Sequence, residues 1–272
     1  MSHGGPRGVQ HTLGTFCFAE LVSPNPDSAL QFYGDLFGWT VEEVPGPSHP
    51  YWLFQIEGRI VAGLRPIQRG RQRWIPFIAV ERVDETVAQA ERLGGRTGHE
   101  PFDVSGVARM TTIVDPHERL VGLWQANGRS GAERQELPGS MWWVEMLAHD
   151  VIGATHFYSR LFGWKASERP LRHLTHGYTV YSVGNESVGG AIKIQPNWGR
   201  VPERWQVLFA VTDLDRIIDQ THGLGGSDDL PPIEIPDVGR CASLLDDGKG
   251  LFIAMQPKRP ATPDTTGASS SS

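Results

Sequence analysis

Two glutamates have the setting that acid–base chemistry requires. Glu20 follows Phe18 by two positions in an apolar stretch, and Glu145 follows Trp143 in the same way. Residues two apart on a strand share a face, so each carboxylate is expected beside an aromatic ring. Desolvation there raises the pKa of a carboxyl group, which makes both glutamates candidate catalytic acids or bases. The alternative is that each glutamate binds a nearby arginine and only fixes the sheet.

Two arginines offer a second kind of chemistry. Arg109 and Arg240 occupy corresponding places on strands that lead to an aspartate turn. A guanidinium group can clamp an anionic ligand through two parallel hydrogen bonds, so both are candidate ligand-binding residues. The alternatives are that they are the ion-pair partners of Glu20 and Glu145, or charges in solvent.

Other catalytic patterns give weaker signals. His173 and His176 form a His-x-x-His pair in a polar stretch without carboxylates, which is more typical of solvated histidines than of a metal site. The sequence contains no Gly-x-Ser-x-Gly, phosphate-loop or dinucleotide-binding glycine motif, so acyl-transfer and nucleotide chemistry lack support. Cys17 and Cys241 lie in apolar runs and are interpreted as small buried residues.

An internal repeat organises these residues. Residues 14–39 recur as 139–164 with a shift of 125, including the pattern Phe-Tyr-x-x-Leu-Phe-Gly-Trp. Matches within residues 74–125 recur within 205–256 with a constant shift of 131. Two gapless registers indicate a tandem duplication, so the two halves of the chain are expected to share one fold.

The repeat sets the predicted domain boundaries. We expect a first domain at residues 11–127 and a second at 139–257. The polar, glycine-containing segment 128–138 is predicted to link them. The segment 258–272 ends in a run of serines and is predicted to be a disordered tail.

Hydrophobic periodicity predicts the order βαβββ twice in each domain. An alternating strand at 16–22 precedes a helix whose apolar face contains Phe32 and which ends at Gly38. Three strands follow, and the order restarts with a strand at 75–80 and a helix at 83–93. The fold class is therefore α+β, with four βαβββ modules. Because helices cover one face of each sheet, paired modules are expected to curl into half-barrels around a small-molecule pocket.

Composition and charge exclude several partners. The 272 residues carry a net charge of −6 and no cluster of Lys and Arg, so neither nucleic acid nor an anionic membrane is expected as a partner. No apolar run approaches the ~18 residues of a membrane span. The polar start is unlike a signal peptide, so a cytoplasmic location is expected.

Three elements together resemble the vicinal oxygen chelate superfamily. They are the Phe-Tyr-x-x-Leu-Phe-Gly-Trp pattern, the helices that end in Leu-Gly-Gly, and the turn Asp115-Pro-His-Glu with its following strand. The superfamily includes glyoxalase I, bleomycin- and fosfomycin-resistance proteins and extradiol dioxygenases. The resemblance covers about residues 14–256 and implies two glyoxalase-like domains, but a fold with so many activities does not fix the reaction.

The resemblance also defines where a metal would bind. Enzymes of the superfamily hold a divalent metal with His, Glu or Gln side chains on the first and last strands of each module. The corresponding positions here are Phe18, Gly63, Phe77, Gly122, Trp143, Gly190, Leu208 and Ile253. None of these side chains can donate to a metal, so neither a metal nor another cofactor is expected.

Strand parity from these positions predicts what the pocket contains. If Phe18 faces the concave side, both glutamates share that side and Cys17 packs beneath the helix. Phe77, Trp124 and Trp143 are predicted to line the same surface, and aromatic walls suit planar or apolar ligands. Because Trp143 is bulkier than Phe18, the second pocket is expected to have less room than the first.

The sequence therefore predicts a metal-independent protein that binds a small molecule, by analogy an aromatic or antibiotic-like metabolite. One alternative is an isomerase, lyase or hydrolase that uses Glu20 and Glu145 as acid and base. Another is a structural module without a pocket. Because one chain supplies four modules, pairing within the chain predicts a monomer, or a weak homodimer.

Overall fold

The computed structural model describes residues 10–46, 49–170 and 177–258. His173 and His176 lie outside the described residues, and so does the predicted tail beyond residue 258. In the described part of the chain no helix is long and apolar enough to cross a membrane.

The first domain contains two βαβββ modules. The first module consists of β1 (Phe16–Ser23), α1 (Pro26–Phe37), β2 (Thr40–Val44), β3 (Tyr51–Ile56) and β4 (Arg59–Pro66). The second consists of β5 (Arg73–Ala79), α2 (Val83–Arg92), β6 (Arg96–Val104), β7 (Ala108–Val114) and β8 (Leu120–Ala126). The hydrophobic pattern locates every one of these elements except β6, which is mostly exposed and contains Gly98 and Pro101.

The second domain repeats this order. Its first module consists of β9 (Met141–Ala148), α3 (Val151–Phe162), β10 (Lys165–Arg169), β11 (Tyr178–Val183) and β12 (Glu186–Lys193). After a short 3-10 helix (Pro196–Trp198), its second module consists of β13 (Arg204–Ala210), α4 (Leu214–Gly223), β14 (Ser227–Ile235), β15 (Gly239–Leu245) and β16 (Leu251–Pro257). The predicted α+β fold with four βαβββ modules is confirmed.

Each domain forms one mixed sheet of eight strands. The strand order is β2-β3-β4-β1-β5-β8-β7-β6 in the first domain and β10-β11-β12-β9-β13-β16-β15-β14 in the second. The strands β1 and β4 are parallel, as are β5 and β8, whereas β1 and β5 are antiparallel and join the two modules. The first sheet curls into the predicted half-barrel, with its two edges formed by β2 and β6.

The two domains pack through the faces that carry their helices. One continuous core contains the buried sides of all four helices, with α1 against α4 and α2 against α3. Aromatic side chains cross the boundary: the Phe16 ring lies 5.2 Å from Trp205, and the Phe37 ring lies 5.6 Å from Phe209. The halves thus pair within one chain as predicted, but by their helix-bearing faces and not by their concave faces.

Two hydrogen-bond chains cross this interface. Trp74 Nε1 donates to Tyr33 Oη at 2.8 Å, and Tyr33 Oη donates to Asp246 Oδ2 of the other domain at 2.7 Å. The duplicated copy runs from Trp205 through Tyr158 to Asp115, with distances of 2.7 and 2.9 Å. We call these the two Trp-Tyr-Asp chains. Each places a phenol from one domain on a buried carboxylate of the other.

An isolated first domain should self-associate. Separating the two domains would expose the apolar face that carries the helices, including Phe16, Phe37 and Trp39. Large contiguous apolar surfaces exposed to water drive association. We expect sedimentation of residues 11–133 to show oligomers or aggregates, while the full chain under the same conditions does not. A monodisperse, folded half would contradict the importance of the shared core.

Candidate functional site

The positions singled out from the superfamily pattern converge on the sheet face opposite the helices, which we call the helix-free face. In the first domain the Cα atom of Phe77 pairs with those of Phe18 and Gly122. In the second domain Leu208 pairs with Trp143 and Ile253 in the same register. Both helix-free faces thus bring together residues that are far apart in the chain.

The helix-free face of the first domain is filled by its own side chains. Phe18 and Phe77 have no exposed surface, and the Trp124 ring centroid lies 4.4 Å from that of Phe18. Ala132 of the interdomain linker packs in the same cluster, and its amide donates to the carbonyl oxygen of Cys17 at 2.8 Å. The three predicted lining residues are therefore core residues of a closed half-barrel.

One prediction about this face is wrong. Cys17 does not pack beneath the helix, because a register shift between Phe16 and Phe18 turns Phe16 to the helix side and Cys17 to the helix-free side. Burial raises the pKa of the Cys17 thiol, so it remains a neutral, unreactive core group.

Glu20 is the acidic half of a buried ion pair with Arg65. Arg65 Nε lies 3.2 Å from both carboxylate oxygens, and Arg65 Nη2 donates to Oε2 at 3.1 Å. The glutamate is fully buried, and the guanidinium group lies over the Phe102 ring at 5.2 Å from its centroid. The partner is thus Arg65 at the end of β4, and neither Arg109 nor Arg240. This is the arrangement of a structural carboxylate.

Arg109 and Arg240 bind the first turns of neighbouring helices. Arg109 donates from Nε and Nη2 to Asp84 on α2, at 3.0 and 2.9 Å, and from Nη1 to Asp103 at 3.0 Å. Arg240 donates to Asp215 on α4 through two bonds of 2.9 Å. Both guanidinium groups therefore lie on the helix side of their sheets. A ligand-binding role for either one stays a prediction.

The helix-free face of the second domain is less closed than that of the first. Strand β1 is buried along its whole length, whereas Trp143 and Glu145 on the equivalent strand β9 are partly exposed. Leu208 stands where the first domain has Phe77, and Met255 stands where it has Trp124. The expectation that Trp143 leaves less room in this domain stays a prediction.

Four polar side chains, Glu145, Gln206, Trp143 and Tyr178, are hydrogen-bonded in pairs on this face. Gln206 Nε2 donates to Glu145 Oε1 at 2.9 Å, and Trp143 Nε1 donates to Tyr178 Oη at 2.7 Å. Burial raises the pKa of Glu145 to about 7, opposed by hydrogen bonds from Gln206 and Tyr178 and by the charge of Arg204. Burial and the Glu145 charge together raise the pKa of the Tyr178 hydroxyl, which stays protonated.

Sequence reasoning missed Tyr178 and Gln206. Both face the same side as Glu145, since Gln206 pairs with Glu145 and Tyr178 pairs with Ile192 beside it. A signal existed in the duplication itself, because the equivalent of Gln206 in the first domain is the apolar Ile75. Comparing the two copies for polar replacements on the helix-free face would have found it.

Comparison with known proteins identifies the family. Residues 16–123 match the family described as a glyoxalase-like domain. The chain is 32% identical over 259 residues to "Putative glyoxylase CFP32" of Mycobacterium tuberculosis, covering 93% of this chain and 98% of that protein. It is 31% identical over 250 residues to "Anthracycline biosynthesis protein DnrV" of Streptomyces peucetius, covering 86% and 90%. The chain belongs to the glyoxalase-like family.

Solved structures place this glyoxalase-like chain in the vicinal oxygen chelate fold. The Mn(II)-bound glyoxalase from Novosphingobium aromaticivorans superposes with a TM-score of 0.62 at 15% identity, covering 93% of this chain and 85% of that one. The 2,3-dioxygenase LapB from Pseudomonas sp. KL28 gives 0.62 at 12% identity, covering 92% and 94%. At such identities the likeness shows the fold alone, and that fold is the predicted one.

The residues at the superfamily's metal positions do not fit a metal in this glyoxalase-like chain. In the first domain, a side chain at Gly122 would overlap the Phe77 ring, and one at Gly63 would overlap Tyr51 and Phe18. Within the described ranges, no three His, Cys, Asp or Glu residues cluster in a way that could hold a metal ion.

The Glu20→Gln variant should lose stability. It leaves the Arg65 guanidinium, which is only 14% exposed, without its counter-charge, and breaking such a pair costs about 3 kcal/mol. Denaturant unfolding near neutral pH measures this loss. The matched control is Glu145→Gln, which breaks no arginine pair and should keep or gain stability. Equal losses in the two variants would contradict the structural role of Glu20.

The stability contributed by Glu145 should fall as the pH rises. Its pKa of about 7 lies above the value of 4.5 usual for glutamate, so between these values the folded chain binds more protons than the unfolded chain. The contribution is full below about pH 4.5 and is lost as the pH rises through about 7, by at most about 3 kcal/mol. Unfolding free energies of wild type and Glu145→Gln, measured at about pH 5 and about pH 8, should therefore diverge. Parallel pH dependences would reject the raised pKa.

Proposed function

We propose that this chain binds a small, largely aromatic metabolite on the helix-free face of its second domain, without a metal. The observation that carries the proposal is the difference between the two copies of that face. Phe18 and Phe77 are fully buried in the first domain, whereas Trp143 and Glu145 are partly exposed in the second. An open curved sheet with few polar groups is the usual form of a small-molecule site.

The surface chemistry of this helix-free face favours a planar ligand. Leu208, Ile253 and Met255 form an apolar cluster against which Trp143 packs. An indole presents a flat face for stacking, and a planar ligand can cover such a surface with little loss of conformational entropy. The relatives named for anthracycline biosynthesis support the same chemistry, since anthracyclines are planar polycyclic aromatic compounds.

The first domain contributes stiffness to this arrangement. Its helix-free face is occupied by Phe18, Phe77 and Trp124, and its carboxylate is neutralised by Arg65. A filled half-barrel cannot rearrange without losing packed contacts. We therefore assign ligand binding to one domain and structural support to the other.

A second candidate function is metal-independent acid–base catalysis by Glu145, as in an isomerase, lyase or hydrolase. The observation that favours it is the pKa of about 7, which lets a carboxyl group both accept and donate a proton near neutral pH. Glu20 is not assigned this role, because it is buried in an ion pair with Arg65. Turnover of a bound ligand that is lost in Glu145→Gln while binding persists would favour catalysis over simple binding.

Three anthracene probes test the binding proposal. They carry an aminomethyl, a hydroxymethyl or a carboxylate group on the central ring, and at least one should bind saturably with one site per chain. Trp143→Ala should weaken that binding about tenfold, because the stacking surface is lost, while the chain stays folded. The matched control is Phe18→Ala, which should cost about 3–5 kcal/mol of stability and leave the affinity unchanged. Calorimetry and thermal melts give both quantities; no saturable binding of any probe, or equal loss of affinity in both variants, would refute the proposal.

A further inference from the structure

Glu20 and Glu145 occupy equivalent positions in the two domains, but only Glu20 is paired with an arginine from the neighbouring parallel strand. In the first domain Arg65, beside Val22 in the β1–β4 pair, supplies the cation that binds Glu20. In the second domain the residue in that register, beside Leu147, is Ile192. Glu145 therefore occupies the place of Glu20 next to an apolar side chain, and the register position that supplies the guanidinium group in the first domain holds no cation here.

Two oxygen acceptors face this position. Gln206 uses its amide nitrogen to donate to Glu145, and its Oε1 atom is buried with no hydrogen-bond partner in the described part of the chain. Gln206 itself is only 7% exposed, so leaving that acceptor without a partner costs free energy. A ligand that donates hydrogen bonds to both Glu145 and Gln206 would satisfy it.

Aromatic rings stand beside these acceptors. Trp143 shares a face with Glu145, and its indole nitrogen is tied to the Tyr178 hydroxyl at 2.7 Å. Indole and phenol rings attract cations over their faces, as the Phe102 ring does for Arg65 in the first domain. Carboxylate, carbonyl oxygen and aromatic ring together are the surroundings that an ammonium group prefers.

The other ionisable groups near Glu145 do not replace the missing cation. The charge of Arg204 acts on Glu145, but Asp229 is the first charge that stabilises the ionised form of Arg204, and the Arg204 Nη1 atom donates to the carbonyl oxygen of Pro202. The salt bridges of the described residues include none between Arg204 and Glu145. Burial raises the pKa of the Cys241 thiol to about 12, so Cys241 is neutral.

We infer that the ligand of this site carries a cationic amine, which binds Glu145 and Gln206 where the first domain places the Arg65 guanidinium. The inference rests on the proposed function and narrows it to aromatic amines. An aromatic body then packs against the partly exposed Trp143, and the ammonium group lies beside Glu145 and Gln206.

The three anthracene probes share one aromatic body and carry a cationic, a neutral or an anionic substituent, so they test this inference. The aminomethyl probe should bind about ten- to a hundredfold more tightly than the hydroxymethyl probe, and the carboxylate probe should bind least. Glu145→Gln should reduce this ratio to about one. Ile192→Arg should do the same by placing a guanidinium group in the site, whereas Ile192→Met, which adds length without charge, should preserve the ratio.

A proton count gives a readout that fold damage cannot imitate. Because Glu145 has a pKa of about 7, binding of the cation should release about half a proton per site at about pH 7, measured by calorimetry in buffers of different ionisation enthalpy. The hydroxymethyl probe should release none. Equal affinity of the amine and alcohol probes would overturn the inference and leave the proposed function intact, whereas failure of all three probes to bind would overturn both.

Discussion

The two Trp-Tyr-Asp chains are the constraint on which the rest of the molecule depends. Asp246 and Asp115 are buried, and a buried carboxylate is costly unless donors surround it. Each receives a phenol hydroxyl from the opposite domain, and that phenol is oriented by a tryptophan of its own domain. Each aspartate also has partners in its own domain, since Arg119 pairs with Asp115 and the Gly250 amide donates to Asp246, and the phenol adds a donor that only the opposite domain supplies. The polar atoms of the interface thus select one relative placement of two domains that apolar packing by itself would hold less specifically.

The helix-bearing faces of both domains are buried in this interface. Side chains on the helix-free faces can therefore differ between the two domains without disturbing it. In one copy Phe77 and Trp124 fill the half-barrel and Arg65 neutralises the carboxylate. In the other copy Leu208, Met255 and Ile192 stand at the same places, so the same backbone exposes an aromatic residue and a carboxylate. The proposed binding face of the second domain and the filled face of the first domain are therefore equivalent surfaces that differ by a few side chains.

Much of this architecture follows from the sequence, because a duplication shows which residues are equivalent and strand parity shows which face they share. Parity fails where the backbone departs from regular pleating, as at the shift between Phe16 and Phe18 that reorients Cys17. Ion-pair partners are harder to predict from the sequence than the face on which a residue lies. Glu20 binds Arg65 across a parallel strand pair, whereas Arg109 binds Asp84 on the adjacent helix. Such choices depend on three-dimensional distances of a few ångströms, which no periodicity encodes. The partial exposure of Trp143 and Glu145 likewise depends on neighbouring side chains that are distant along the chain.

The linker has a consequence for how the chain can assemble. Tandem domains joined by a free tether can trade partners between two molecules, which gives swapped dimers at high concentration. Here the Ala132 amide donates to the carbonyl oxygen of Cys17, and the Glu133 amide donates to that of Ile60. The Gln135 side chain donates to the carbonyl oxygen of Phe16. The connection is thereby anchored to the first domain almost up to β9, which leaves little slack. The second domain therefore meets the first domain of its own chain at a high effective concentration. Exchange of domains between two chains would first require the hydrogen bonds between the linker and the first domain to break.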